Sequence, residues 1–230
     1  GISITPNIFQ RLAAPNSNHW LGTGPLGRDL LSCLIVGGML SFFTGLAVVL
    51  LSALVGGLLG IVAGAGRGRG KSGLIADAVL TGVTDVLMAF PGILLAIGLA
   101  AFISNGMLSL ILVLVIPGWV TYARISRSQA LQYHSAPFTI AAKGYNAAFP
   151  RIVSRHLFPA VLPLLLVQAT LDLPGIIIAE SGLNFLGIGH DPALPSLGQL
   201  IDTGRVYLYN HPILVAAPGL VLLVLVTGVH

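Results

Sequence analysis

Phe42-Phe43-Thr44-Gly45-Leu46-Ala47-Val48-Val49-Leu50-Leu51-Ser52-Ala53-Leu54-Val55-Gly56-Gly57-Leu58-Leu59-Gly60-Ile61-Val62-Ala63 is a run of 22 residues without a charge. At about 1.5 Å per residue, such a helix covers the roughly 30 Å hydrocarbon core of a bilayer. Gly56 and Gly60 form a Gly-x-x-x-Gly pair, which lets a second helix approach closely. The whole chain demands the same solvent. Of its 230 residues 55% are hydrophobic and only 8% charged, where a soluble domain averages about 25% charged. The expected fold class is all-α, a polytopic bundle of membrane-spanning helices.

Working outward, four more apolar segments follow, at 74–103, 107–123, 157–180 and 212–229, giving five expected spans. Pro91, Pro117, Pro163 and Pro174 fall inside them and are expected to kink their helices. Residues 1–32, punctuated by Pro6, Pro15, Gly22, Gly24, Pro25 and Gly27, read as an extracytoplasmic loop leading into the first span. Residues 33–230 then form the transmembrane domain. The stretch Gly64-Ala65-Gly66-Arg67-Gly68-Arg69-Gly70-Lys71-Ser72-Gly73 nearly spells a phosphate loop. Its first glycine would fall at Ala65, and it follows a membrane span rather than a strand, so nucleotide binding is rejected.

Charge sets the orientation. The segments 64–77 and 124–156 hold Arg67, Arg69, Lys71, Arg124, Arg127, Lys143, Arg151 and Arg155, eight of the eleven Lys and Arg. Arg11, Arg28 and Arg205 remain for the other side. By the positive-inside tendency the first two segments are cytoplasmic. Residue 1 then lies outside, so a further helix is expected ahead of it.

Between two spans lies Pro137-Phe138-Thr139-Ile140-Ala141-Ala142-Lys143-Gly144-Tyr145-Asn146-Ala147-Ala148-Phe149-Pro150-Arg151-Ile152-Val153-Ser154-Arg155-His156-Leu157-Phe158-Pro159. Ser135 is placed to cap a helix whose first turn holds Pro137. Phe138, Ala141, Ala142 and Tyr145 share one helical face. Asn146 tolerates the left-handed conformation that ends a helix. After Pro150, Arg151 and Arg155 lie on one side of a second short helix. A cytoplasmic loop at 134–156 with this pattern is suited to docking on something outside the bilayer.

The ionisable residues inside the spans are the other candidates. Asp85, Asp172 and Glu180 are costly there unless they pair or face a wet path. Asp172 and Glu180 fall broadly on one helix face. Asp85 fits either a path-lining or a helix-packing role. His190 beside Asp191 does not make a metal site, and the lone Cys33 supports neither a disulfide nor a thiolate cluster. No His-Glu-x-x-His is present, so an intramembrane metallohydrolase is rejected. The net charge of +4 forms no basic patch interleaved with aromatics, so no nucleic-acid partner is expected. A passive channel or an ion-driven transporter would leave the docking loop without a purpose.

Three motifs carry a resemblance. The 137–159 stretch resembles the signature cytoplasmic loop of ABC-importer permeases: Ala141, Ala142, Ile152, His156 and Pro159 match, while Ile140 stands where that loop has Glu and Asn146 where it has Gly. His19-Trp20-Leu21-Gly22-Thr23-Gly24-Pro25-Leu26-Gly27-Arg28-Asp29-Leu30-Leu31-Ser32 is similar to the Leu-Gly-Thr-Asp, Gly-Arg-Asp and Ser pattern of the dipeptide/oligopeptide/nickel branch, with Gly24 for the first Asp. Glu180-Ser181-Gly182-Leu183-Asn184-Phe185-Leu186-Gly187-Ile188-Gly189 resembles that branch's Glu-Ala-x-Leu-Ser-Phe-Leu-Gly-Leu-Gly, and Pro195-Ser196-Leu197-Gly198 its Pro-Ser-Trp-Gly.

The resemblance implies a type I ABC importer transmembrane domain, with six helices in the full subunit, in a bacterial inner membrane. It implies a non-catalytic subunit without a cofactor of its own. Its implied partners are a second homologous permease, two ATP-binding subunits or domains that hold ATP and Mg, and an extracytoplasmic solute-binding protein. The loop residues Phe138, Ala141, Ala142, Lys143, Tyr145, Asn146, Arg151 and Arg155 would couple to the ATPase. Asp85, Asp172 and Glu180 are the candidates for the translocation path. Di- and oligopeptides are the expected solutes. Nickel or a metal chelate is the alternative, favoured by Asp172, Glu180 and His190.

Overall fold

Asp29 starts the first helix of the computed structural model, its Oδ2 accepting from the Ser32 N–H at 2.8 Å and from the Ser32 hydroxyl at 2.6 Å. This satisfies donors that a helix N-terminus otherwise leaves orphaned. The structure describes residues 5–67, 70–103, 106–133, 136–137, 140, 148–189 and 194–229. Among them the fold is helical, apart from one isolated bridge between Thr23 and Asp29.

In chain order the helices are α1 (Leu30–Gly66), α2 (Lys71–Met88), α3 (Gly92–Ala100), α4 (Met107–Tyr133), α5 (Phe149–Ile152), α6 (Phe158–Phe185), α7 (Leu197–Arg205) and α8 (Ile213–Val229). A wide π turn, Val153–Leu157, joins α5 to α6, so that Phe149–Phe185 is one continuous helix of 37 residues. That helix, α1 (37 residues) and α4 (27 residues) are each long and apolar enough to cross a membrane. The α2–α3 pair makes a fourth candidate, and α8 is an apolar helix of 17 residues. These five segments occupy the positions of the five expected spans.

The boundaries differ from the sequence reading in three places. The first helix begins at Leu30 rather than near Phe42, because residues 33–41 are also uncharged and Asp29 supplies the cap. Helix α4 runs to Tyr133 and carries Arg124 and Arg127 within it instead of releasing them into a loop. Pro91 does more than kink its helix: α2 and α3 are bent by 89° across the break. Proline lacks the N–H and crowds the carbonyl four residues back. Pro117, Pro163 and Pro174, by contrast, lie within helices that continue through them.

The described chain divides into two compact units. One comprises Gly1–Ala47, Leu99–Leu112 and Leu173–His230; the other comprises Val48–Gly98 and Val113–Asp172. In the first, Leu30, Leu34, Leu197, Leu214 and Ala217 form the core. In the second, Ile61, Ala65, Tyr122, Ala130, Ile152, Leu157, Val161 and Leu165 do so. Within the second unit α1 and α4 touch backbone to backbone. A Cβ on Gly56 or Gly60 would overlap the carbonyl oxygens of Trp119 and Ala123, and one on Gly64 would lie 2.7 Å from that of Arg127. The pair read from the sequence is therefore a ladder of three glycines, four residues apart. On the other side of α1, Leu50, Leu54, Leu58 and Val62 are exposed. So broad an apolar face suits lipid rather than water.

Candidate functional site

The second unit holds Arg67, Lys71, Asp77, Arg124, Arg127, Arg151 and Arg155 of the segments expected to be cytoplasmic. Asp77 on α2 is buried, with 5% of its surface exposed. Its carboxylate accepts two hydrogen bonds from the Arg127 guanidinium on α4, from Nε at 2.5 Å and from Nη2 at 2.9 Å. Arg67, at the end of α1, stands 3.8 Å away. Two parallel N–H···O bonds fix both distance and orientation. Gly73 makes the approach feasible, since a Cβ there would overlap the Gly66 carbonyl. Three helices are thus pinned together on one buried carboxylate.

In the sequence Asp77 stands out only by lying near the cations Arg67, Arg69 and Lys71. Its partner is 50 residues away, and no spacing rule links them. The one available signal was an acid in the first turns of a span, where an unpaired charge is costly.

The same unit packs the C-terminal flank of the 134–156 loop. Ala148 is the N-cap of α5, and Pro150 sits in its first turn rather than ahead of it, where its missing N–H costs nothing. Ile152 and Leu157 are buried against Ile61, Ala65, Ala130 and Val161, with Phe149, Val153 and Phe158 packed around them. Arg151 and Arg155 are exposed. The segment therefore has a buried apolar side and a cationic free side. Phe138, Ala141, Ala142, Lys143, Tyr145 and Asn146 lie outside the described residues.

The three acids proposed for a path have different surroundings. Asp85 on α2 is 58% exposed and stands 3.5 Å from Arg124, which also donates to the Met88 sulfur at 2.8 Å. An ion pair this exposed is worth little, so Asp85 stays available to other partners. Asp172 is half-buried and accepts a hydrogen bond from Gln168 at 2.9 Å on its own helix, beside the buried Tyr122. Glu180, in the first unit, is 1% exposed. Its Oε1 accepts from Asn184 Nδ2 at 2.6 Å and its Oε2 from the Ser181 hydroxyl at 3.3 Å, with Ser41 of α1 facing it. Burial of an acid with this many donors is the arrangement that makes it tolerable. Here the motif Glu-x-x-x-Asn is read by the helix itself, four residues apart.

At the start of α1 the first unit holds a polar knot. His19 Nδ1 lies 3.0 Å from Asp29 Oδ1, and His19 Nε2 lies 3.2 Å from Gln10 Oε1. The Thr23 hydroxyl donates to the Gln10 carbonyl and accepts from the Ala13 N–H. Burial works to raise the Asp29 pKa, but the Ser32 hydroxyl, the Ser32 N–H and the His19 ring outweigh it and hold the carboxyl below its usual range. An Asp three residues before a Ser at the head of an apolar run was a readable N-cap signal. No group of three His, Cys, Asp or Glu able to hold a metal occurs among the described residues.

Comparison with known proteins gives a consistent result. Residues 56–230 match the model of the family described as binding-protein-dependent transport system inner membrane component. The probable peptide ABC transporter permease protein y4tQ of Sinorhizobium fredii (strain NBRC 101917 / NGR234) is 36% identical over 100% of this chain and 77% of its own length. The probable D,D-dipeptide transport system permease protein DdpC of Escherichia coli (strain K12) is 32% identical over 96% of this chain and 72% of its own. The nickel transport system permease protein NikC of the same strain is 32% identical over 95% and 76%. Among solved structures, an inward-facing conformation of the MetNI methionine ABC transporter superposes with a TM-score of 0.67 at 20% identity, covering 87% of this chain and 92% of that one. That likeness concerns the fold.

Proposed function

Since the chain belongs to the family of inner-membrane components of binding-protein-dependent transport systems, we propose that it forms, with a second homologous permease, the path by which di- and oligopeptides cross the membrane. The subunit is a multi-pass membrane permease, and it is not the catalytic component of its transporter. Two ATP-binding subunits carry ATP and Mg and drive it from the cytoplasmic side. An extracytoplasmic binding protein delivers the solute.

The observation that supports the coupling most directly is the two-sided segment 149–157. Ile152 and Leu157 anchor it in the core of the second unit, and Arg151 and Arg155 face outward. A push on the exposed side reaches α6 without an intervening loop, because Phe149–Phe185 is continuous. ATP can drive transport only if docking contacts differ between two states of the permease. The loop residues Phe138, Ala141, Ala142, Lys143, Tyr145 and Asn146 complete the docking surface in this reading.

Transport assays on the assembled complex in proteoliposomes test the proposal. ATP-dependent uptake of a tripeptide is expected. A bulky charge introduced at Ala141 or Ala142 should abolish solute-stimulated ATPase activity while the subunit stays in the membrane. Undiminished stimulation in those variants would refute the coupling assignment.

Nickel, or a chelate of it, is the second reading, favoured by the 32% identity to a nickel permease and by the half-buried Asp172. Uptake of both solutes by the wild type and by Asp172→Asn separates the two. Nickel uptake lost in the variant supports the second reading; peptide uptake without nickel uptake in the wild type removes it.

A further inference from the structure

In the second unit α1 and α4 lie side by side yet turn opposite chemistry outward. Every exposed residue of α1 from Leu50 to Val62 is Leu or Val. Between Val113 and Tyr133 of α4 the exposed residues are Thr121, Arg124, Ser128 and Gln132. They fall at i, i+3, i+7 and i+11, on one helical face. Asp85 of α2 stands 3.5 Å from Arg124, and the two side chains are 58% and 51% exposed.

The glycine ladder sets the two faces at one depth. Gly56 lies against Trp119 and Tyr122, and Gly60 against the Ala123 carbonyl. Thr121 and Arg124 therefore stand level with the stretch of α1 that exposes Leu54, Leu58, Leu59 and Val62. A helix surface of leucine and valine alone is a hydrocarbon-facing one. The polar face of α4 thus begins at acyl-chain depth, and Ser128 carries it to the level of Gly64, near the end of α1. Lipid does not suit it, because an arginine or aspartate turned into hydrocarbon is costly. A partner helix laid over it would strip water from both charges and from two hydroxyls, and an ion pair at 3.5 Å does not offset that loss. Water leaves all four groups solvated.

We infer that this face of α4, with Asp85 beside it, is a wall of the water-filled route that the solute takes, and that Asp85 and Arg124 are its charged contacts for solute. So exposed a pair is weakly held. Each partner can leave the other to meet the ammonium or the carboxylate of a zwitterionic peptide. The inference rests on the transport reading for what passes along the wall, but not for the wall being wet.

Thiol labelling of the complex, reconstituted with its partner chains in liposomes, tests it. The variants are Thr121→Cys, Ser128→Cys and, for comparison, Leu54→Cys and Leu58→Cys, each combined with Cys33→Ser to remove the buried native thiol. Methanethiosulfonates bearing a trimethylammonium or a sulfonate group are the probes, since they react with a thiolate, which forms in water and not in hydrocarbon. Thr121→Cys and Ser128→Cys should react about tenfold or more faster than the two leucine-site variants. Reaction at Thr121→Cys as slow as at Leu54→Cys overturns the inference, whether lipid or a partner helix covers the face. Added to Thr121→Cys, Arg124→Gln should raise the ratio of cationic to anionic labelling about twofold or more, and Asp85→Asn should lower it as much. Unchanged ratios would remove the pair from the wall. A complete adduct at Thr121→Cys should stop tripeptide uptake, and uptake that continues past it would take the solute off this route. The labelling rates need no transport, so the wall is judged even where peptide uptake fails.

Discussion

Arg127 reaches across from α4 to grip both carboxylate oxygens of Asp77 on α2, at 2.5 and 2.9 Å, in a site where only 7% of the Asp77 side chain is exposed. Removing one partner leaves a buried charge uncompensated, which costs about 3–5 kcal/mol. Asp77→Asn and Arg127→Gln are each expected to lower the melting temperature in detergent steeply. The double variant should lose less than the sum of the two. Arg127→Lys keeps the charge but loses the fork and should fall between. Additive losses would show that the two residues act separately.

The glycine ladder predicts a position-specific effect of a single methyl. Gly60→Ala places a Cβ on the Ala123 carbonyl. Overpacking of this kind costs roughly 1–3 kcal/mol. Gly98→Ala, on α3 with nothing within 4 Å of the new Cβ, should be neutral or stabilising by up to about 1 kcal/mol, as alanine favours a helix. Thermal unfolding of both variants checks this, and equal effects would contradict the close approach of α1 and α4.

Asp29 predicts a pH dependence whose sign follows from its lowered pKa. Its contribution is present above the unfolded-state pKa, near 4, and is lost as pH falls through the lower folded-state value. Asp29→Ala also removes the cap, worth about 0.5–2 kcal/mol. The gap in melting temperature between wild type and Asp29→Ala should hold steady from about pH 7 down to about pH 5 and shrink in more acid solution. A gap that widens on acidification would contradict the cap.

The two sides of segment 149–157 should separate stability from coupling. Ile152→Ala opens the core around Ile61 and Val161 and should cost about 2–5 kcal/mol. Arg151→Glu with Arg155→Glu changes only exposed groups, so the melting temperature should stay within a degree or so, since surface changes are usually within about 0.5 kcal/mol. Solute-stimulated ATPase activity should nevertheless fall about tenfold or more, the effect of several lost charge-assisted contacts. Full stimulation in the double variant would remove the arginines from the docking surface.

How much of this was legible beforehand depended on range. Long uncharged runs such as 42–63 announced membrane helices, since bilayer thickness sets a length that local sequence can meet. The Gly56–Gly60 pair was visible, whereas Gly64, which extends the ladder, sits among Ala63 and Ala65 and looked like the margin of a loop. Helix ends were misjudged at Leu30, where uncharged sequence continued past the minimum span, and at Tyr133, where the helix runs on through polar and charged residues. The buried environment of Glu180 and the pairing of Asp77 with Arg127 depend on which helices meet, and one sequence alone does not carry that information. Asp85, Asp172 and Glu180 drew notice as intramembrane acids, yet their distinct surroundings emerged only with the neighbouring helices in place.

The π turn at Val153–Leu157 makes the connection between α5 and α6 geared instead of rod-like. It holds one more residue per turn than an α-helix does, and absorbing that surplus would swing everything ahead of it by roughly 100° about the axis. A modest push on Arg151 and Arg155 could thus be converted from translation into rotation before it arrives at α6. Deleting Ser154 would lock the gear, and a transporter that still couples normally after that deletion would show that the shaft turns as a single piece.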